Sequence, residues 1–95
     1  MIEIKQEDGE KRGRFVAYNN DGVEVGEMTY TYAGPVKAIF DHTFVDDSMR
    51  GQNVGRLMLD KAAEWMRKNE IKLIPLCPYV KGQVVKHPDL YGDLL

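Results

Sequence analysis

Turn sequences between short strand-like segments constrain the fold of this chain more than any other feature. Four segments read as strands, residues 2–5, 14–18, 23–32 and 36–45, and the first of them alternates apolar and charged residues. The turns "NNDG" at 19–22 and "AGP" at 33–35 separate the last three segments. Asn and Gly tolerate the positive φ angles of tight hairpins. We therefore expect these strands to form an antiparallel meander.

One helix and one apolar strand are expected to follow the meander. The helix should start near Asn53 and stop near Asn69, with an apolar side made of Val54, Leu57, Met58, Ala62, Trp65 and Met66. The segment "IKLIPLC" at 71–77 reads as a buried strand. Because a helix separates it from the fourth strand, we expect a parallel pairing through a right-handed crossover.

The remaining residues complete a predicted α/β (α+β) fold over a single domain, residues 1–95. A short helix should follow Pro78 and end at Pro88, and the last residues should form a turn or a short strand. The sheet is expected to be mixed and mostly antiparallel, with one parallel crossover strand and the main helix packed on one face.

Composition excludes several classes of function. The net charge of −2 gives no basic field for nucleic acid. No apolar run approaches the length of a membrane span, and the polar amino terminus is unlike a signal peptide, so the default expectation is a cytoplasmic location without a membrane partner. One cysteine excludes an internal disulfide, and two isolated histidines give little basis for a metal site.

The stretch "RGQNVG" at 50–55 places two glycines where a strand runs into a helix. Free N–H groups and the positive end of the helix dipole make such a turn an anion site, and Gly51 and Gly55 would let a phosphate approach the backbone. Arg50 and Arg56 would add positive charge. The competing interpretation is a turn that only starts a helix.

Two common nucleotide motifs do not fit this turn. A Walker loop requires Lys and Ser or Thr after the glycine, and Gly55 is followed by Arg56-Leu57. The dinucleotide fingerprint requires a third glycine and a parallel sheet, whereas the preceding strands are predicted to form hairpins.

"RGQNVG" resembles the Arg/Gln-x-x-Gly-x-Gly/Ala signature of the GNAT superfamily of acetyl-CoA-dependent N-acetyltransferases. The longer pattern "DHTFV…RGQNVGRLML…IKLIPLCPYV…KHPDLYGDLL" is similar to its short single-domain subfamily. The similarity is best over residues 41–95, and the first forty residues match only in strand pattern and length. Asn53 occupies the position of the signature's central glycine, and Asn tolerates the left-handed conformation better than other residues with a side chain.

The resemblance implies a binding site for acetyl-CoA between two splayed strands. The pantetheine arm would pair with the fourth strand near Phe44 and Val45. The pyrophosphate would lie on the following turn: Arg50, Gly51, Gln52, Asn53, Val54, Gly55 and Arg56. Relatives of full length carry additional amino-terminal helices at the acceptor site. In this chain we therefore expect an amine acceptor site that is open, or that a partner such as a second copy completes.

By the same resemblance, the acetyl thioester would arrive near His42 and Cys77. Cys77 is a candidate nucleophile or proton donor, against the alternative of a small buried apolar residue. His42 is a candidate general base, against the alternative of a core histidine, because it is expected to share a strand face with Phe40 and Phe44. The sequence does not show whether Cys77 and His42 touch.

Other candidates for proton transfer have simpler interpretations. Tyr79 and Tyr91 can each donate a proton to a thiolate, but a role as packing aromatics is favoured for both. His87 fits a capping or surface role. Asp46 and Asp47 fit a role in the loop, since carboxylates repel a pyrophosphate.

The sequence therefore predicts an acetyl-CoA-binding N-acetyltransferase that moves acetyl from CoA to an amine acceptor of unspecified type. Direct transfer with His42 or an ordered water as base is the usual route in the superfamily. A covalent acetyl-Cys77 intermediate is the less usual one. The alternatives are a non-catalytic acyl-CoA-binding or sensor module, and a structural domain with no affinity for CoA.

Overall fold

Five strands form one sheet whose spatial order follows the chain, in a computed structural model that describes all 95 residues. The strands are β1 (Glu3–Asp8), β2 (Arg12–Tyr18), β3 (Glu24–Tyr32), β4 (Lys37–Val45) and β5 (Lys72–Pro75). Neighbours among β1 to β4 pair antiparallel, and β4 pairs with β5 parallel. The predicted fold class, a mostly antiparallel sheet with one parallel crossover strand, is confirmed.

Three helices and two short 3₁₀ turns complete the chain. The helices are α1 (Val54–Lys68), α2 (Pro78–Lys86) and α3 (Pro88–Tyr91), and the 3₁₀ turns are Asp47–Met49 and Gly92–Leu94. The last seven residues thus form helical turns rather than a strand. None of the helices is long and apolar enough to span a membrane.

Local side-chain chemistry accounts for the turns and for the end of α1. The Asn19 carboxamide accepts hydrogen bonds from the N–H groups of Asp21 and Val23, at 2.9 and 3.0 Å, and Gly22 has φ 75°. Gly34 has φ 85° in the second predicted turn. The helix stops at Lys68 as expected, but Asn69 has φ −103°, and the positive φ of 56° falls on Glu70.

A β-bulge in β4 overturns the expected face of that strand. Thr29 pairs with His42 and Tyr30 pairs with Phe40, so Asp41 is an extra residue with no partner on β3. Side chains beyond Phe40 therefore change face. The prediction that His42 lies on the face of Phe40 is wrong, and so is the prediction for Phe44, because it assumed a regular pleat. Both side chains are exposed.

The core lies between the sheet and the helices. Phe15, Tyr30, Phe40 and Trp65 form an aromatic cluster with ring centroids 4.9–6.4 Å apart. The helix α1 buries Met58, Leu59, Ala62, Ala63 and Met66 in this core. Leu57, expected on the apolar side, is 40% exposed. The opposite face of the sheet is polar, and there Arg14 bridges Glu7, Glu24 and Glu27 at 2.9–3.0 Å.

Polar contacts attach the last residues of the chain to α1. The Arg67 guanidinium donates to the Asp93 carboxylate at 2.9 and 3.0 Å and to the Leu90 carbonyl at 2.5 Å. The Tyr91 hydroxyl donates to Asp60 Oδ1 at 2.6 Å, and Tyr91 itself is buried. These contacts hold α3 and the following 3₁₀ turn beside α1.

We expect Tyr91 to make the stability of the protein sensitive to alkaline pH. Burial, with the Asp60 carboxylate, raises the pKa of Tyr91 from 10.0 to about 12. Because the folded pKa exceeds that of the unfolded chain, this stability is present in full below pH 10 and is lost as the pH rises through about 12. Urea unfolding should show a shallower alkaline decline in Tyr91→Phe than in the wild type. Tyr18→Phe, where the hydroxyl has no hydrogen-bond partner, should decline like the wild type; equal curves for all three would refute the role of Tyr91.

We expect Gly55→Ala to destabilise the fold. A Cβ on Gly55 would lie 2.7 Å from Tyr79 Cζ and 2.8 Å from its hydroxyl oxygen, so the ring would have to move, at a cost of about 1–3 kcal/mol. Gly82 in α2 has open space around its Cβ position, and Gly82→Ala should stabilise by about 0.5–1 kcal/mol. Urea unfolding measures both. In a Tyr79→Ala background the cost of Gly55→Ala should vanish, and a cost that persists there would show that Tyr79 is not its cause.

Candidate functional site

The strands β4 and β5 separate at their carboxyl ends. Their pairing runs from Lys37–Lys72 to Phe40–Pro75 and then stops. The Phe40 carbonyl accepts the last hydrogen bonds across this pair, from the N–H groups of Leu76 and Cys77 at 3.1 and 2.7 Å. Pro78, which has no N–H to extend the ladder, begins α2. Residues 41–45 of β4 consequently border a gap.

The turn before α1 has the geometry of an anion site. Gly51 has φ 83°, and Asn53 has φ 56° and ψ 34°, which confirms that Asn adopts the left-handed conformation here. The first helical hydrogen bond runs from the Leu57 N–H to the Asn53 carbonyl at 3.0 Å. The N–H groups of the first three helical residues have no acceptor within the protein: Val54, Gly55 and Arg56.

The two glycines of this turn are required for different reasons. A Cβ at Gly51 would meet nothing within 4 Å, so only its φ of 83° demands glycine. At Gly55 the Cβ would collide with the Tyr79 ring. Gly51 therefore leaves open space beside the turn, whereas Gly55 allows α2 to pack against the start of α1.

A cleft of about 410 Å³ joins the gap, the turn and α2. Nine residues line it: Thr43, Val45, Met49, Arg50, Gly51, Asn53, Val54, Gly55 and Tyr79. The structure thus brings together most of the residues predicted to bind the cofactor, namely Val45, Arg50, Gly51, Asn53, Val54 and Gly55. Thr43, Met49 and Tyr79 join them from outside that prediction.

Three of the predicted cofactor residues do not line the cleft. The Phe44 side chain is 55% exposed on the other face of the sheet, although its backbone belongs to the strand that borders the gap. Gln52 is exposed, and its N–H donates to the Met49 carbonyl at 3.2 Å. Arg56 lies over the Tyr91 ring, 5.7 Å from its centroid, and 4.0 Å from Asp60.

Acidic residues beside the turn have structural partners. Asp46 caps the 3₁₀ turn by accepting from the Ser48 N–H at 3.4 Å. Asp47 lies 3.5 Å from Arg50, with both side chains exposed. An exposed ion pair of this kind contributes only ~0–1 kcal/mol. Arg50 is therefore free to leave Asp47 for a stronger anion.

The thiol of Cys77 lies next to Thr43 rather than His42. Cys77 is 3% exposed at the start of α2, and its Sγ lies 3.2 Å from Thr43 Oγ1. His42 is exposed on the opposite face because of the bulge, so the two candidate catalytic residues are not in contact. Sequence reasoning missed Thr43 because regular strand alternation assigns it to the other face.

Tyr79 is the tyrosine that reaches the cleft. Burial raises the pKa of Tyr79 above its usual value, and Asp60 and Cys77 add to this effect while Arg56 opposes it. Its hydroxyl therefore stays protonated at neutral pH, and it has no hydrogen-bond partner in the protein. Tyr91 is committed to Asp60, and His87 lies between α2 and α3, with its N–H bonded to the Gln83 carbonyl. Neither lines the cleft.

Solved structures with this fold include acetyltransferases. A GCN5-like protein from Staphylococcus aureus, solved by NMR, is 33% identical over 97% of this chain and 85% of its own, with a TM-score of 0.72. Nourseothricin acetyltransferase is 29% identical, with a TM-score of 0.56, but the match covers 66% of this chain and 38% of that enzyme. No curated protein sequence matches the chain.

A third structure shares the fold alone. AAC(6')-Iy, solved with the bisubstrate analogue CoA-S-monomethyl-acetylneamine, is 16% identical over 86% of this chain and 62% of its own, with a TM-score of 0.58. At the level of sequence families, the profile described as GCN5-related N-acetyl-transferase matches residues 14–94. With the splayed strands and the glycine turn, this match over most of the chain shows that the protein belongs to the GCN5-related N-acetyltransferase family.

Proposed function

We propose that the protein binds acetyl-CoA in the cleft and transfers the acetyl group to an amine acceptor. The observation that carries this proposal is the position of the cleft. It connects the free N–H groups at the start of α1 with the gap between β4 and β5. Cys77 lies at the head of that gap, the point beside Phe40 where the two strands stop pairing. Its volume of about 410 Å³ falls within the range of ~300–1,000 Å³ usual for small-molecule sites.

The turn supplies what a pyrophosphate needs. The N–H groups of Val54, Gly55 and Arg56 point out of the first turn of a 15-residue helix, where the helix dipole favours negative charge. The open space at Gly51 lets an anion approach the backbone. The exposed Arg50 guanidinium adds a mobile positive charge beside it.

The gap suits an extended pantetheine arm. Beyond Phe40 the edge of β4 has lost its parallel partner, so backbone groups of residues 41–45 on that side are free to bond an amide-containing chain. Thr43 and Val45 line the same path. An arm that starts at the turn and follows β4 toward Phe40 brings its thioester to the neighbourhood of Cys77.

In direct transfer, a base removes a proton from the acceptor amine as its nitrogen attacks the acetyl carbonyl carbon. His42, exposed at the bulge, or an ordered water serves as that base. The bond from the carbonyl carbon to the CoA sulfur then breaks, and the sulfur keeps the electron pair. Tyr79, protonated and lining the cleft, donates the proton that the sulfur needs.

In the covalent route, Cys77 receives the acetyl group first. Its thiolate attacks the carbonyl carbon, a new carbon–sulfur bond forms to Cys77, and the bond to the CoA sulfur breaks. The amine nitrogen then attacks the carbonyl carbon of acetyl-Cys77 and loses a proton to water, and the carbon–sulfur bond breaks with its electron pair left on the Cys77 thiolate. The burial of Cys77 at the head of the gap is compatible with either route.

One observation favours a second candidate function, a non-catalytic acyl-CoA-binding module. The sheet face opposite α1 is uncovered, with exposed Phe44 and the ion pairs of Arg14, so this chain builds no second wall around an acceptor. Such a module binds CoA without turnover. A partner, including a second copy of the chain, would complete the acceptor site in the enzyme.

We expect acetyl-CoA and free CoA to raise the melting temperature, and ATP to have little effect. Ligand at 100 times its dissociation constant stabilises by ~2.7 kcal/mol, and each kcal/mol moves a domain of this size by roughly 4–8 °C. A shift of about 10 °C or more in a thermal melt supports the site. A flat result at millimolar ligand rules out both the enzyme and the binding module.

The control for this melt compares two arginines. Arg50 lines the cleft, whereas Arg12 is exposed on β2, away from it. Arg50→Ala should reduce the shift caused by CoA, because it removes a charge beside the proposed pyrophosphate. Arg12→Ala should leave it unchanged. Equal effects would mean that the anion binds elsewhere.

We expect turnover with some member of an amine panel, and we expect Cys77→Ala to decide the route. The panel contains small amines and lysine-containing peptides, and release of the CoA thiol is measured. If Cys77 carries the acetyl group, Cys77→Ala abolishes transfer, and intact mass spectrometry of the wild type shows an acetylated protein. If transfer is direct, Cys77→Ala remains active; His42→Ala then lowers the rate by ~10²–10⁴-fold if His42 is the base, and leaves it unchanged if an ordered water is. CoA binding without turnover on any amine identifies the binding module instead.

A further inference from the structure

The Thr43 hydroxyl is the one side-chain group that hydrogen-bonds the Cys77 thiol. Its Oγ1 lies 3.2 Å from Sγ. The backbone of Cys77 is fixed on both sides, since its N–H donates to the Phe40 carbonyl at 2.7 Å and its own carbonyl accepts from the Lys81 N–H at 2.9 Å. With the backbone held, the Thr43 hydroxyl is the polar group placed to orient the sulfur.

The bulge in β4 selects Thr43 for this position. Thr43 pairs with Met28, which is fully buried on the core face. Because Asp41 is the extra residue, Thr43 returns to the same face as Phe40. In a regular strand His42 would occupy that face, and the thiol would have an imidazole beside it. In the structure, the Cys77 thiol has the Thr43 hydroxyl beside it instead.

Thr43 also lines the cleft, together with Val45 and Tyr79. The same side chain therefore touches the buried thiol and the space proposed for acetyl-CoA. A threonine hydroxyl accepts a hydrogen bond from a thiol and donates one to a thiolate. No other side chain in the protein offers the Cys77 sulfur a donor.

We propose that Thr43 is the positioning residue of Cys77: its hydroxyl directs the sulfur toward the cleft and donates to the thiolate. This inference rests on the proposed function, in particular on its covalent route. There, the Cys77 thiolate attacks the acetyl carbonyl carbon, and the bond to the CoA sulfur breaks. The CoA sulfur takes its proton from Tyr79 or water. Thr43 keeps its own proton throughout. Its hydroxyl accepts a hydrogen bond when Cys77 is a thiol and donates one when Cys77 is a thiolate.

The test is a titration of the thiolate by ultraviolet absorbance. Cys77 is the only cysteine of the chain, so the difference between each protein and its Cys77→Ala counterpart reports this sulfur alone. Thr43→Val keeps the shape and removes the hydroxyl, and Thr43→Ser keeps the hydroxyl. Loss of a hydrogen bond to a charged group should move the midpoint upward by about one pH unit in Thr43→Val. Thr43→Ser should titrate like the wild type.

Two results would overturn the inference. If Thr43→Val titrates with the wild-type midpoint, the hydroxyl does not stabilise the thiolate. If Thr43→Val and Thr43→Ser move by the same amount, packing rather than the hydroxyl is responsible. Thermal melts of every variant check that the fold persists, and Thr43→Ala replaces Thr43→Val if the valine is not accommodated.

Parallel melts with acetyl-CoA separate this inference from the proposed function, because the titration itself needs no acetyl-CoA. One outcome is that acetyl-CoA fails to stabilise the wild type and every variant while the titration midpoint of Cys77 still moves in Thr43→Val. In that case the proposed function fails, and the hydrogen bond to the thiolate stands. If acetyl-CoA stabilises all of them and the midpoint stays constant, the role of Thr43 alone fails.

Discussion

The Phe40 carbonyl is the point on which the geometry of the cleft depends. It accepts the N–H groups of Leu76 and Cys77, and these are the last hydrogen bonds between β4 and β5. Immediately beyond it, β4 contains its bulge and β5 gives way to Pro78 and α2. One carbonyl therefore holds Cys77 against the sheet and marks where the strands part. Without it, the thiol and the gap would not lie together.

The two glycines of the turn before α1 are required for different physical reasons, which the sequence alone does not distinguish. Gly51 is needed for a conformation, and Gly55 is needed for a contact with Tyr79. Between them Asn53 adopts the left-handed conformation at the position where the family signature has glycine. The Gly55 contact places Tyr79 at the cleft, so the turn proposed to bind the pyrophosphate also packs against the hydroxyl proposed to protonate the CoA sulfur.

Sequence reasoning succeeded where the determining interactions are local. Asn19 organises its own turn, and α1 starts beside Asn53 because of residues within one turn of it. Sequence reasoning failed where the face on which a side chain lies depends on pairing with another strand. The bulge at Asp41 exists only in the pairing of β4 with β3, and the alternation of β4 alone gives no sign of it. The assignment of His42 to the core face and the omission of Thr43 both follow from that one extra residue in the register of β4.

The side chains on the two faces of the sheet are held by different interactions. On the core face, packing against α1 fixes each residue. On the open face, Arg14 binds three carboxylates, and its hydrogen bonds to Glu7, Glu24 and Glu27 raise the pKa of Arg14. Thr29 donates to Asp41 at 2.5 Å. These interactions pair the polar groups but leave them partly exposed to solvent. In the proposed transfer, the acetyl group would come from the cleft and the amine from the open face, beside the gap after Phe40. The bulge places Thr43 beside the Cys77 thiol and His42 on the open face, so these sequence neighbours would serve opposite sides of the proposed reaction.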